Sequence, residues 1–354
     1  MLKAINFIKE NINQSPFSKK IRVYGWQHEY DYLLTSSVSK YLFEEFEVIE
    51  NIIPLTNENR PGNKKTKFYI TVHDTGDANP NHTAKFWSDT VKNEYWEQGK
   101  YACSYQYVVG NDGTYHQIPD DEVAWHAGDT TKYDYKLYPT DIEGTNPNPV
   151  ITISEDGYFE IDSVKTNISA PRVYKEKEGV VIVDRLPKTE DINDQSVLCK
   201  LIDGKYYLGE VYFNSGYMLI ANRGGNNNSI GIESCINEGT DIYLTWQRTA
   251  KLVANLLYNN NLTFEDVKQH HYYSGKNCPQ TMRMNNMWEH FMELVKTEYT
   301  ALELLKEGYS FKLVSNSKNL ENNGRITSLN DETIEYKIEI RKDNNIEVLE
   351  FKLN

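Results

Sequence analysis

The stretch Lys67–Gly76, KFYITVHDTG, decides how the chain is read. Phe68, Ile70 and Val72 alternate with more polar neighbours, the period-two signature of a strand that turns one face to a core. A polar lead punctuated by Pro61 and Gly62 runs into it, and the strand ends at His73. A histidine at a strand end sits on a rigid mount, which suits a metal ligand or an acid–base group.

Downstream, TAKFWSDTVKNEYWEQG reads as a helix with Phe86, Thr90, Val91 and Tyr95 on one side. YQYVVGNDGTYHQIP then gives two strands joined through Asn111-Asp112-Gly113, strong hairpin chemistry. NSIGIESCI is a buried-strand candidate, and DIYLTWQRTAKLVANLLYNN is an amphipathic helix with Trp246, Ala250, Val253 and Leu257 on one face. Residues 133–222 differ: short Thr, Val, Ile and Tyr-rich runs between Gly, Asp and Pro turns predict an all-β insertion. Residues 1–46 combine a short amphipathic helix with a Tyr-rich stretch whose role is not readable. A helix through about Glu307 precedes 308–354, which alternates with period two and reads as a separate small β domain.

The chain has 354 residues, 39% of them apolar, enough for two or three domains with an ordinary core. A net charge of −13 argues against a nucleic-acid partner, because phosphate neutralisation needs clustered Lys and Arg. No apolar run reaches membrane-span length, and the start MLKAINFIKENINQ lacks the apolar stretch of a secretory signal, so synthesis in a cytoplasm without membrane insertion is expected. Cys103, Cys199, Cys235 and Cys278 are too unevenly spaced for a disulfide framework, and the first three read as core thiols.

Near the last quarter, KQHHYYSGKNCPQTMR crowds His270, His271, Lys276 and Cys278 together. A catalytic zinc takes three protein ligands, often a local pair plus one distant residue, and leaves a position open. His270 and Cys278 supply a local pair and His73 a third donor. Taken singly, the same residues read equally as a hydrogen-bonded strand-end histidine and a buried thiol.

Four segments stand in order: RPGNKKTKFYITVHDTGD, SYQYVVGNDGTYHQIPDDEVAWHAGD, GNNNSIGIESCIN and VKQHHYYSGKNCPQTMR. Together they resemble the zinc-dependent type 2 N-acetylmuramoyl-L-alanine amidases, a family of phage lysins, autolysins and peptidoglycan recognition proteins. The resemblance covers about 47–300 apart from the insertion, and an amidase domain is expected over 47–307. It implies an α/β fold, a mixed central sheet flanked by helices, and hydrolysis of the amide between N-acetylmuramic acid and L-alanine in bacterial peptidoglycan. It further implies zinc on His73, His270 and Cys278, with His271 a surface or outer-layer neighbour. Glu233 would take a proton from water and hand it to the leaving amine, and Lys276 would stabilise the oxyanion. Tyr105 would be a polar aromatic near the site, and Trp125 and His126 groove residues contacting substrate.

Asp74 in HDTG replaces the family's usual Asn, Gln106 stands where many relatives carry His, and the insertion replaces a short crossing. A missing signal with appended β units favours a phage lysin, released through a holin or carried in the virion. Virion or cell-wall attachment is expected of 308–354. The alternatives are a peptidoglycan-binding or virion structural protein with an amidase fold, and a cytoplasmic muropeptide-recycling amidase.

Overall fold

The computed structural model describes residues 1–353 except 13–17, 26–27, 36–41, 65–66, 68, 94–102, 128–136, 147–148, 171, 178–179, 190–198, 210–224, 275 and 329–332. Phe68 and Tyr95, named above for their periodicity, lie outside the described residues. The chain opens with helix α1 (Leu2–Asn11) and hairpin β1 (Ser18–Val23) and β2 (Tyr30–Thr35). Then come β3 (Ile49–Glu50), β4 (Tyr69–Asp74), α2 (Ala84–Asn93), β5 (Tyr107–Gly110) and β6 (Gly113–His116). The next region carries β7 (Leu137–Glu143), β8 (Ile151–Ile153), β9 (Tyr158–Ile161), β10 (Val164–Ser169), β11 (Val173–Lys177), β12 (Val180–Arg185), β13 (Cys199–Ile202) and β14 (Lys205–Gly209). After it run α3 (Gly225–Asn228), β15 (Ser229–Ser234), α4 (Ile242–Asn260), β16 (Val267–Gln269), α5 (His271–Ser274), α6 (Gln280–Met284) and α7 (Trp288–Lys306). Strands β17 (Tyr309–Ser315), β18 (Ile334–Lys342) and β19 (Asn345–Leu353) close the chain.

The architecture is mixed α/β. A six-stranded sheet in the order β16-β4-β15-β5-β6-β3 forms its centre, with β16, β4, β15 and β5 parallel and β5–β6 antiparallel. Alternation in β4 and β15 sends Ile70, Val72, Ile230 and Ile232, all fully buried, into one core with α4, α7 and the β1–β2 hairpin. Each such side chain contributes about 1.5–3 kcal/mol by leaving water. The intervening Thr71, His73, Ser229 and Glu233 therefore share the opposite face.

The NDG turn between β5 and β6 also ties helices. Asp112 accepts from the backbone N–H groups of Ala84 and Lys85 at the start of α2, at 3.1 and 2.8 Å. Asn111 accepts from the N–H of Asp241 and donates to its carbonyl. Asp241 caps α4 by accepting from Leu244 N–H, and Asn261 ends that helix with left-handed φ of 53°. On α2 the buried positions are Ala84, Ser88 and Val91. Phe86, expected on the buried side, is 37% exposed because it stacks flat on His82, with centroids 4.0 Å apart.

The described part of the insertion carries three sheets, β13-β14-β7, β10-β9-β8 and β11-β12, but it is not purely β as expected, since Thr189 is helical. It has its own core of Ile151, Ile153, Phe159, Ile161, Cys199, Tyr206 and Leu208. The C-terminal sheet β17-β18-β19 is packed differently. Its buried residues Leu313, Ile334, Tyr336, Ile338 and Ile340 share one cluster with Ala4, Phe7 and Ile8 of α1 and Ala301 and Leu304 of α7. Cys199, Cys235 and Cys278 are buried, whereas Cys103, expected to be a core thiol, is exposed.

Candidate metal centre

Parallel pairing assembles the site. Gln269 of β16 lies opposite Val72 of β4, so the next residue, His270, arrives beside His73. On the other side of β4, Glu233 of β15 is in register with His73 itself. Cys278 follows the short α5, and its carbonyl accepts the His271 N–H at 3.2 Å, closing the loop that carries both donors.

His73 Nδ1 is the meeting point. It lies 3.1 Å from His270 Nδ1, 3.6 Å from Cys278 Sγ and 3.8 Å from Glu233 Oε1. The donor atoms of His73, His270 and Cys278 all fall within 4.8 Å of one another, and all three residues are buried. Two imidazoles and a sulfur converging without a structural reason to do so are a donor set suited to a borderline-soft divalent ion. Among the described residues, Glu233 Oε2 is buried with no hydrogen-bond partner, a state that buried polar atoms rarely keep.

The electrostatics fit the same use. Burial pulls His73 down to about 3, with the Lys276 ammonium adding to the effect. Burial, then the His73 and Lys276 charges, holds His270 well below the ordinary histidine value. Both rings are therefore neutral, the form that binds a metal. Burial, then Asp74, pushes the Cys278 thiol well up, against Lys276. Glu233 is raised to about 8 by burial, with Lys276 opposing and Asp74 adding. Desolvation dominates each of these shifts, and a cation among the donors would reverse it for the thiol and the carboxyl.

Two departures have clear physical roles. Asp74 is raised to about 6 by burial, against the N–H groups of Thr281 and Gln280 that it faces. Its Oδ2 accepts from Thr281 N–H at 2.8 Å and so holds the start of α6, three residues beyond Cys278. Gln106 is fully buried and bridges strand to loop, accepting from Gly231 N–H at 2.7 Å and donating to the Glu122 carbonyl at 2.8 Å.

His126 lies against the back of the His73 ring. Its Nδ1 is 2.9 Å from His73 Nε2, and the two rings are perpendicular with centroids 5.1 Å apart. A Cβ on Gly231 would come within 2.5 Å of the His126 ring, so glycine is required where β15 passes under it. The His126 and Ala127 N–H groups both donate to Asn226 Oδ1, at 2.9 and 2.8 Å. Trp125, next in the chain, is 36% exposed. Tyr105 packs in a cluster with Ile53, Ala84, Val108 and Cys235. Of the two places expected for His271, the surface or an outer layer, the structure gives the buried one: it is 7% exposed and its N–H donates to the Cys278 carbonyl. It stands outside the convergent trio.

Sequence reasoning assembled the three donors and Glu233 but missed the polar support beneath them. Thr71 Oγ1 bonds Ser229 Oγ and Tyr273 OH across β4, β15 and α5. The only sequence signal was the polar alternation in YITVHD and SIGIES.

A family model described as N-acetylmuramoyl-L-alanine amidase matches residues 63–281. The N-acetylmuramoyl-L-alanine amidase CwlH of Bacillus subtilis (strain 168) is 22% identical over 251 residues, which is 71% of this chain and 62% of the relative. The N-acetylmuramoyl-L-alanine amidase XlyA of the same strain is 21% identical over 244 residues, 69% of this chain and 49% of the relative. The chain thus spans about half to three-fifths of the length of these curated relatives. Among solved structures, the catalytic domain of XlyA matches at a TM-score of 0.40 with 20% identity, over 70% of this chain and 99% of that one. PlyL matches at 0.39 with 17% identity, over 70% and 96%.

Proposed function

The chain belongs to the N-acetylmuramoyl-L-alanine amidase family, and on that premise we propose that it hydrolyses the amide between the lactyl group of N-acetylmuramic acid and L-alanine. The observation that carries the reading is the convergence of His73, His270 and Cys278 with Glu233 in register beside them. These three would hold zinc, which when bound supplies positive charge that polarises a carbonyl and makes water in the site more acidic. His126 keeps the outer nitrogen of His73 occupied and so directs Nδ1 to the cluster. Glu233 accepts the proton of the attacking water and delivers it to the departing amine nitrogen. The Lys276 ammonium, whose charge is felt at His73, Asp74, Glu233 and Cys278, faces the oxygen of the tetrahedral intermediate and stabilises it. Trp125 offers an exposed indole on which a sugar face can lie, and Tyr105, buried in the cluster with Val108 and Cys235, is proposed as a polar aromatic of the site.

Mass spectrometry of digested sacculi tests the bond directly. Glu233→Ala is expected to keep stoichiometric zinc and to stop releasing free L-alanine N-termini; undiminished release by that variant would falsify the assignment.

We place the activity on intact wall, as in a lysin, with the unit from about 308 attaching the enzyme to wall or virion. Support comes from its position after the amidase unit and from the lytic amidases the chain resembles. Because its core includes α1 and α7, binding is measured on full-length Glu233→Ala. A preference for soluble muropeptides over sacculi would instead mark a recycling enzyme.

A further inference from the structure

Arg283, on α6, is 3% exposed, and no carboxylate touches its guanidinium through any of its three hydrogen bonds. Nε donates to Asn277 Oδ1 at 2.9 Å, Nη1 to Gln269 Oε1, and Nη2 to the Pro149 carbonyl at 2.6 Å. Gln269 immediately precedes His270, and Asn277 immediately precedes Cys278. Pro149 belongs to the β insertion. One buried cation therefore joins the residues flanking two convergent donors to the β-rich insertion.

The cost of burying this charge makes the contact informative. Desolvation brings Arg283 down only to about 10, so it stays charged at neutral pH. A buried charge is expensive unless its surroundings compensate for lost water; here the Asp162 carboxylate acts on the guanidinium through space, and neutral acceptors make the direct contacts. The planar fork fixes three acceptors at once with three of its five N–H donors, which a single ammonium point charge cannot do. The outer acceptor is itself anchored. Asp162, after β9, accepts from Val150 N–H at 2.8 Å and from Asn146 Nδ2 at 2.9 Å, and its own N–H donates to the Val150 carbonyl at 2.8 Å. Pro149 is thus held by the insertion's own hairpin.

We propose that Arg283 is a positioning residue for the loop carrying His270 and Cys278, and that the insertion is its outer anchor and so a working part of the metal centre. This rests on the zinc reading above. Groups that hold metal ligands from behind change metal affinity by about 10–100-fold when removed.

The experiment measures zinc affinity by chelator competition, and the absorption spectrum of the cobalt(II) form, on the full chain and its variants. Arg283→Met is expected to bind zinc about 10–100-fold more weakly, with a shifted thiolate-to-cobalt band. Arg283→Lys is expected to fail as a rescue. Asp162→Gly keeps the guanidinium, tolerates the left-handed φ of 49° at that position, and frees the Pro149 segment; it is expected to weaken zinc by a smaller factor. Wild-type affinity with an unchanged cobalt spectrum in Arg283→Met overturns the proposal. If that variant does not fold, wild-type affinity in Asp162→Gly overturns it instead. A wild-type chain that binds neither ion sinks the zinc reading and this inference with it, a result distinct from a variant that binds like wild type.

Discussion

The two faces of the central sheet are made from alternate residues of the same strands, yet they do opposite things. On one, Ile70, Val72, Ile230 and Ile232 are sealed against α4 and α7. On the other, Thr71, His73, Ser229 and Glu233 are almost as well buried, but polar. The apolar face gains free energy by leaving water. The polar face spends it, holding two neutral histidines, a thiol and an unpartnered carboxylate oxygen where each is desolvated. A strand's two-residue period thus lets one segment carry stability and a candidate site side by side.

The comparison breaks most completely at His73. Substitution His73→Ala is expected to abolish stoichiometric zinc and wall hydrolysis together, as read by metal analysis and turbidity of sacculi. Retention of both would mean that the polar face is not a metal centre. Next in size, Lys276→Ala is expected to lower kcat by about 10²–10³-fold, with zinc content unchanged; a change confined to KM would move this residue from the oxyanion to substrate binding.

On the apolar face, Ile232→Ala is expected to cost about 2–5 kcal/mol of stability through the cavity it leaves, while activity per folded molecule stays near wild type. Denaturant melts and a specific-activity assay check the two halves. A loss of activity with full stability would show that the faces are not independent.

The smallest effect is a pH dependence of the metal-free protein. Glu233 rises from 4.5 to about 8 on folding. Between those values the folded chain holds a proton that the unfolded chain has released, so its contribution to stability is lost as pH climbs through the window. Glu233→Gln removes this term. In chelator, its melting temperature is expected to gain on wild type from about pH 4.5 to about pH 8; a constant difference would mean that Glu233 is better solvated than its burial implies.

Much of this was legible in the chain. Alternation in KFYITV predicted the strand that ends at His73, NSIGIESCI offered a second buried strand, and His270 with Cys278 offered a local pair of possible donors. His126 was legible as part of AWHAGD, but its place behind the His73 ring was not, because that depends on Gly231 letting the ring pass over β15. Residues 308–354 read as a separate sheet from their own alternation, whereas their buried face is completed by α1 from the other end of the chain. Nothing in the sequence singled out Arg283, and only its three acceptors reveal a junction.

The sequence by itself determined the donor types, their order along the chain, and the strand faces on which they stand, because these follow from residue chemistry and a fixed two-residue period. Only the tertiary structure decided which side chains close around His73, and that the insertion reaches the residues beside His270 and Cys278. Such contacts join residues more than fifty positions apart, and directional hydrogen bonds and close packing select them only once the chain has folded.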